Sequence, residues 1–556
     1  MASNQSESAS LTIPSGDSAS RVAVDLRQWP STRRLAVDYA FDFPSVAPFF
    51  AGDPQEPAAW ADAIGRAQSH PRQRGAVTAI LARQQDERGA PAAARAAACQ
   101  LLDPATVAVV TGQQVGLFGG PLYTLLKALT AIKLAERVRA EHGVPAIAIF
   151  WLEAEDHDWD EVRGVSVFDE ALALHDITLP ARSDSERAGV VRLDDTVTVA
   201  LNDLREQLAP TEFRDELLDT LRAAYVPGRR MAESFGRWLE SVLGSRGLVV
   251  FDASDLAAKP IVAPIFVREL ETAGATARAA GEAGAHMTAA GYPAQVQTQD
   301  GSVALFALQG GRRPIRRHDD RFEFGDAMLP ASELAARAAA DPAAFSPNVL
   351  LRPVIQDTLF PTICYVAGPN ELAYLGQLKG VYRHFGVPMP LMYPRASATV
   401  VDRAALRFLG KPGITLEMLQ PQDDSRLNQL LAAQMPPAVE RAFDGATTTL
   451  ESAMNALLAA LPSVDPTLEG AARSTLSRMQ NDLSTLHTKT IQAAKRRDET
   501  LRRQFDRTRA LTFPGGQPQE RAVGFVSLLN QYGPALIDRL EQELPLDLGR
   551  HWIVAI

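Results

Sequence analysis

Cysteine is nearly absent: the 556 residues hold two, Cys99 and Cys364. That excludes a disulfide framework and a zinc site built from thiolates, and it fits a reducing compartment. Both are expected in the core, Cys99 within an alanine-rich helix and Cys364 within an apolar strand. No apolar run approaches the length of a membrane span. Basic residues are not in excess either. Fifty-six Lys and Arg against 66 Asp and Glu leave a net charge of −10, which argues against a general nucleic-acid or anionic-membrane partner. The first 21 residues are rich in Ser, Ala and Asn and lack the basic-then-apolar order of a secretion signal. They read as a disordered tail on a cytoplasmic protein.

What remains is a long soluble chain, 46% hydrophobic and 22% charged, with room for two to four domains. Its most informative stretch runs from Val107 to Glu161. Val107 to Val110 is an unbroken apolar run, as in a strand buried on both faces. A glycine-rich turn follows from Thr111 to Pro121, then a helix expected over Leu122 to Glu141, stopped near Gly143 and Pro145. A second apolar strand, Ala146 to Leu152, leads into Glu153-Ala154-Glu155-Asp156-His157-Asp158. This is a βαβ unit, and in such units ligands sit beyond the carboxyl ends of the strands. Gly112, Gly116, Gly119 and Gly120 do not space as a dinucleotide fingerprint, and no GxxxxGK[ST] loop is present. They can still bare backbone N–H groups at a helix start, and Gln113 and Gln114 add uncharged, directional hydrogen bonds. A plain strand-to-helix turn is the alternative.

Residues 346 to 395 repeat the strand, glycine turn, helix, strand logic, with Arg352, Gln356 and Asp357 before a strand over Thr362 to Val366 and Asn370 and Glu371 opening a helix. Two such units in one chain indicate an α/β fold with a single open parallel sheet interrupted by insertions. The expected divisions are core (22–164), a mainly helical insertion (165–245), a core strand with helices (246–290), a small α/β insertion with a hairpin at Gly310-Gly311 (291–345), and core again (346–412). A helical coiled coil (413–515) and a return to the core (516–556) complete the chain. In the coiled coil, Leu476, Met479, Leu483 and Leu486 form a seam that a homodimer would bury. The basic cluster Arg312, Arg313, Arg316 and Arg317, in the hairpin, can reach an anionic substrate or line a solvated rim.

Three carboxylates and an imidazole after one strand suit acid/base work: side chains alternate along an extended chain, so Glu155 and His157, or Asp156 and Asp158, can share a face. A single His among acids is a weak metal signal, and none is assigned. Helix capping accounts for one of the four groups.

The segments TGQQVGLFGGPLYTLLKALTAIKLA, FWLEAEDHDWDEV, SPNVLLRPVIQDTLFPT and YVAGPNELAY, in that order, closely resemble the BshC family of bacillithiol biosynthesis over nearly the whole chain. The resemblance implies a Rossmann-like, nucleotidyltransferase-type core with inserted segments and a coiled coil that makes a dimer. It implies a ligase that joins L-cysteine, through its carboxyl, to the amine of glucosaminyl malate in the last step of bacillithiol synthesis. Amide formation from a free carboxylate needs activation, so ATP with Mg is expected, although no HIGH or KMSKS pair of the class I synthetase type is present. On this reading His157, oriented by Glu155 or Asp158, is the base. Thr111, Gly112, Gln113, Gln114, Gly116, Gly119 and Gly120 bind substrate, and Arg352 or Arg395 meets the malate carboxylates. Asp156, Gln356, Asp357, Asn370 and Glu371 line the same crevice. The rivals are a nucleotidyltransferase acting on a sugar or small acid, and a non-catalytic, ligand-holding dimeric scaffold.

Overall fold

The computed structural model describes residues 20–30, 32–183, 186–299, 301–309, 311–411, 413–433, 437–497 and 499–556. The expected tail lies outside them except at its end, where Arg21 opens a strand, and so does Gly310 of the expected hairpin tip. Two compact units are present, one of residues 401–517 and one that holds the chain before 401 and after 517. The coiled-coil unit therefore begins about a dozen residues earlier than composition suggested.

In the larger unit the core elements are β1 (Val107–Gln114), α1 (Leu122–His142), β2 (Ala146–Glu153), β3 (Val249–Asp252), α2 (Lys259–Glu271), α3 (Arg352–Leu359), β4 (Thr362–Ala367), α4 (Glu371–Leu375) and β5 (Leu391–Pro394). The five strands are parallel in the order β5-β4-β1-β2-β3. Val107 to Val110 and Ala146 to Leu152 are buried on both faces, as a sheet covered by helices on each side requires. Each such Val, Leu or Ile contributes about 1.5–3 kcal/mol of burial. The chain starts at the middle strand β1, runs outward through β2 and β3, and returns to β4 on the other side. The order reverses between β1 and β4, and that is where an open α/β sheet leaves a crevice.

The insertions carry rims to this crevice. Leu305–Ala307 pairs antiparallel with Arg313–Pro314 and with Phe345–Pro347, so the hairpin expected around residues 310–311 is present. The chain after the coiled coil returns as Phe525–Tyr532, Ala535–Glu543 and a strand, Arg550–Ala555, that pairs with Arg21–Asp25. Cys364 is buried in β4, but Cys99 is exposed, a correction to the expected core position. It falls at the last turn of Ala92–Cys99, where Ala94, Ala97 and Ala98 take the inward face.

The smaller unit contains an antiparallel helical pair, α5 (Pro437–Ala460) and α6 (Leu468–Arg497), registered by Gln480 with Glu451 at 2.9 Å and His487 with Glu440 at 3.2 Å. Met479 and Leu486 of the expected seam remain 45% and 54% exposed.

Candidate active site at the strand switch point

A cavity of about 620 Å³ opens beyond the carboxyl ends of β1 and β4. From the end of β1, which runs on to Gln114 where a turn was expected from Thr111, it takes Gly112, Gln113 and Gln114. From the end of β2 and just beyond it takes Trp151, Glu153 and Asp156, and from the β4 side Arg352, Tyr365, Glu371 and Tyr374. Glu161, and Phe306, Arg312 and Asn348 from the inserted strands, close its rim.

Gly112 faces Trp151 across the β1–β2 ladder, and a Cβ there would lie 2.9 Å from the Trp151 carbonyl oxygen. Its own carbonyl accepts from Lys127 Nζ at 2.9 Å. Lys127, buried in the middle of α1, also reaches Gln113 Oε1 at 3.1 Å and Glu371 at 2.5 Å. Burial alone would raise the pKa of Glu371, but the Lys127 ammonium and the Gly368 N–H outweigh it and hold the carboxylate below its usual range. One ammonium thus staples the end of β1 to the start of α4.

Glu153 accepts from Trp151 Nε1 at 3.1 Å and pairs with Arg352 Nε at 3.1 Å. Burial pushes its pKa up, opposed by Arg352. Arg352 also donates to Tyr374 OH at 2.9 Å. Gln114 Nε2 donates to Asp156 and to Glu161, each at 2.8 Å.

Of the residues expected here, the fold gathers Gly112, Gln113, Gln114, Asp156, Arg352 and Glu371, while His157 lies outside the lining, in contact with Arg312. The others stand elsewhere. Thr111 is buried, donating to the Val366 carbonyl at 2.9 Å. Gly116, Gly119 and Gly120 do not form an anion cradle, because their N–H groups bond back to Gln114, Gly116 and Leu117, and the Leu122 N–H is taken by the Val523 carbonyl at 2.8 Å. Gly119, at φ 99°, lies under Phe525 and Trp238, where a Cβ would clash at 2.3 Å. Glu155 cannot orient His157. The strand ends at Glu153, alternation stops, and Glu155 turns inward to Lys259 at 2.5 Å and Arg187 at 3.3 Å. Asp158 caps Trp159–Val162 by accepting from the Glu161 N–H. Asp357 is buried, accepting from Tyr382 OH at 2.5 Å and from Gln356, which is buried with it. Asn370 precedes α4 outside the cavity lining, and Arg395 is committed to Glu520 by two 2.8 Å bonds.

The residues that sequence reasoning missed are Glu153, Glu161, Lys127, Tyr365 and Tyr374. Lys127 had a signal, since it interrupts an otherwise apolar helix face. The tyrosines had none.

Residues 23–396 match the N-terminal Rossmann-like domain of bacillithiol biosynthesis BshC, and residues 398–556 match its C-terminal coiled-coil domain. The chain belongs to the BshC family. Among its relatives is the protein named "Putative cysteine ligase BshC" of Salinibacter ruber, 34% identical over 94% of this chain and 96% of that one. The protein of the same name from Koribacter versatilis is 35% identical over 93% and 96%, and that of Symbiobacterium thermophilum 34% over 86% and 88%. The family's division near residue 397 falls close to the start of the smaller unit at 401, but residues 518–556, part of the family's coiled-coil domain, belong to the larger unit.

Proposed function

We propose that this chain is a cysteine ligase that forms the amide between the L-cysteine carboxyl and the amine of glucosaminyl malate in the last step of bacillithiol synthesis. The observation that carries the reading is the switch-point crevice of a BshC-family chain, where four carboxylates (Glu153, Asp156, Glu161, Glu371) and two guanidiniums (Arg312, Arg352) face one cavity. Carboxylates attract an ammonium, and arginines suit a substrate's own carboxylates.

Activation by ATP with Mg is retained from the chemistry of carboxylates alone. The crevice residues do not fit a triphosphate, because the helix-start N–H groups are used internally and most of the charged lining is acidic. No cluster of three or more metal-ligating side chains occurs among the described residues. The step assigned to this crevice is therefore acyl transfer. The ammonium gives a proton to a carboxylate, and the free amine attacks the acyl carbon of an activated cysteine. The C–N bond forms, the bond to the leaving oxygen breaks with its electron pair, and the second nitrogen proton leaves to solvent. Glu153 is the proton acceptor, since burial raises its basicity and it lines the cavity.

A homodimer through the second unit is part of the proposal, motivated by the exposed Leu457, Met479 and Leu486 on its helical pair. Among the described residues no helix is long and apolar enough to cross a membrane, and a cytoplasmic site of action is proposed with it.

The test is mass spectrometry of the purified protein with glucosaminyl malate, cysteine and Mg-ATP, each omitted in turn. A cysteinyl product only in the complete mixture, reduced at least about 100-fold by Glu153→Gln, is the expected result. Pyrophosphate with a nucleotidyl product, or binding without turnover, would replace the reading by a nucleotidyltransferase or a scaffold.

A further inference from the structure

His157 lies outside the cavity lining but against two of its residues, with 46% of its side chain exposed, and its Nδ1 faces two groups of opposite kind. Arg312 Nη1 lies 3.1 Å away, and Asp156 Oδ1 lies 3.5 Å away. A guanidinium has N–H donors and no lone pair to offer, so a contact at 3.1 Å requires Nδ1 to accept. The carboxylate would require a proton on that same nitrogen. Its Oδ1 is already engaged by the His157 backbone N–H at 2.7 Å. Both demands cannot be met together, and the shorter contact, from a group that can only donate, decides between them. A neutral imidazole whose Nδ1 accepts carries its proton on Nε2.

Arg312 is fixed independently of the histidine. Its Nη2 donates to the Pro347 carbonyl at 2.8 Å, its Nε to Ser346 Oγ at 3.3 Å, and its guanidinium lies 3.9 Å over the Phe306 ring. All three partners belong to the small antiparallel sheet that carries the hairpin. Ser346 in turn donates to Glu155, which pairs with Lys259, so the placement is anchored in a buried network. The guanidinium sets the ring, and the ring does not set the guanidinium.

We propose that Arg312 is a positioning residue that holds His157 as the Nε2–H tautomer, so that His157 offers the crevice a hydrogen-bond donor instead of a base. Under the acyl-transfer reading, on which its use rests, this N–H meets the acyl oxygen where negative charge builds as the amine attacks. The proton of the ammonium is left to Glu153, and His157 stabilises charge.

Two readouts test this, and the first needs no turnover. Nitrogen-15 labelling of the nine histidines, recorded at about pH 8, distinguishes a neutral ring protonated at Nδ1 from one protonated at Nε2, and the His157→Ala spectrum assigns the signal. Wild type is expected to show the Nε2–H pattern and Arg312→Lys to keep it. Arg312→Met is expected to shift it toward Nδ1–H as Asp156 takes over. In turnover, His157→Gln, whose amide N–H substitutes for the Nε2 donor without basicity, stays within about tenfold of wild type, while His157→Ala loses about 100-fold. A wild-type ring protonated at Nδ1 overturns the proposal, as does a His157→Gln rate that falls to that of His157→Ala. Absence of turnover in every preparation, with the Nε2–H pattern intact, would instead sink the acyl-transfer reading and leave the tautomer standing.

Discussion

Replacing Lys127 by Met tests whether the two sides of the crevice are tied by one buried charge. The ammonium is 3% exposed and makes three contacts, to the Gly112 carbonyl, Gln113 Oε1 and Glu371. Methionine fills much of the same space, so the loss is electrostatic rather than a cavity. Glu371 would keep the Gly368 N–H and two long contacts at 3.4 Å from Tyr365 and Tyr374, but no ammonium. Breaking a buried pair from one side costs about 3–5 kcal/mol, mostly the penalty of the stranded charge. Lys127→Met with Glu371→Gln strands no charge, so the double variant should recover about 2 kcal/mol or more of the summed single losses. All six tryptophans (Trp29, Trp60, Trp151, Trp159, Trp238, Trp552) lie in the Rossmann unit, so fluorescence during urea unfolding reports that unit alone.

The pH dependence supplies a second check. In the wild type Glu371 has a folded pKa below its unfolded value, so its stabilisation is present above the ordinary carboxylate pKa and is lost as pH falls through the folded one. Without the Lys127 ammonium, burial of the Glu371 carboxylate is less opposed and its folded pKa rises. The folded state then binds the proton more readily than the unfolded state. The deficit of Lys127→Met relative to wild type should therefore shrink between about pH 8 and pH 5. A deficit under about 1 kcal/mol that does not change with pH would refute the staple.

Gly119→Ala should destabilise by about 2–4 kcal/mol, read by thermal unfolding, because its Cβ would meet Phe525 and Trp238 at a positive φ. The buried cluster of Arg395, Glu520, Ser397 and His551 should dominate acid sensitivity. Burial drops His551 to about 3, and Arg395 overrides burial to hold Glu520 at about 2. In both cases the unfolded state binds more protons, so stability falls on acidification, from about pH 6.5 toward 3 for the histidine and from about 4.5 toward 2 for the glutamate. Glu520→Gln should cost about 3–5 kcal/mol at pH 7 and flatten the loss below about pH 4.5, measured by urea midpoints across that range.

The parallel core was legible because its strands are buried on both faces and so read as unbroken apolar runs. Val107 to Val110, Ala146 to Leu152, and Thr362 to Val366 all fall where the runs placed them. The side chains at the strand ends were legible only in part. Asp156, Arg352 and Glu371 reach the crevice, but the alternation argued from Glu155 to His157 assumed an extended chain beyond Glu153, and the chain turns there. The glycines were misread for a related reason. A glycine that admits a ligand and one that admits a neighbouring side chain look alike in sequence, and only the return of Val523 to Phe525 from far along the chain shows which it is. Arg395 failed likewise, its partner Glu520 being 125 residues away.

Those distant pairings also determine where charge is left over in the crevice. Glu153 is neutralised by Arg352 and Glu371 by Lys127. Asp156 and Glu161, by contrast, share the single amide of Gln114, an uncharged donor, and Arg312 approaches Asp156 no closer than 4.0 Å. The surplus negative charge therefore lies on the β1–β2 side of the switch point, next to Gln114. An ammonium is drawn there, between Arg312, 4.0 Å from Asp156, and Arg352, which is paired with Glu153. The glutamine pair that first marked this loop matters for that reason: a lysine at Gln114 would cancel the asymmetry, whereas the amide holds both carboxylates in place and leaves their charge to act on the ligand.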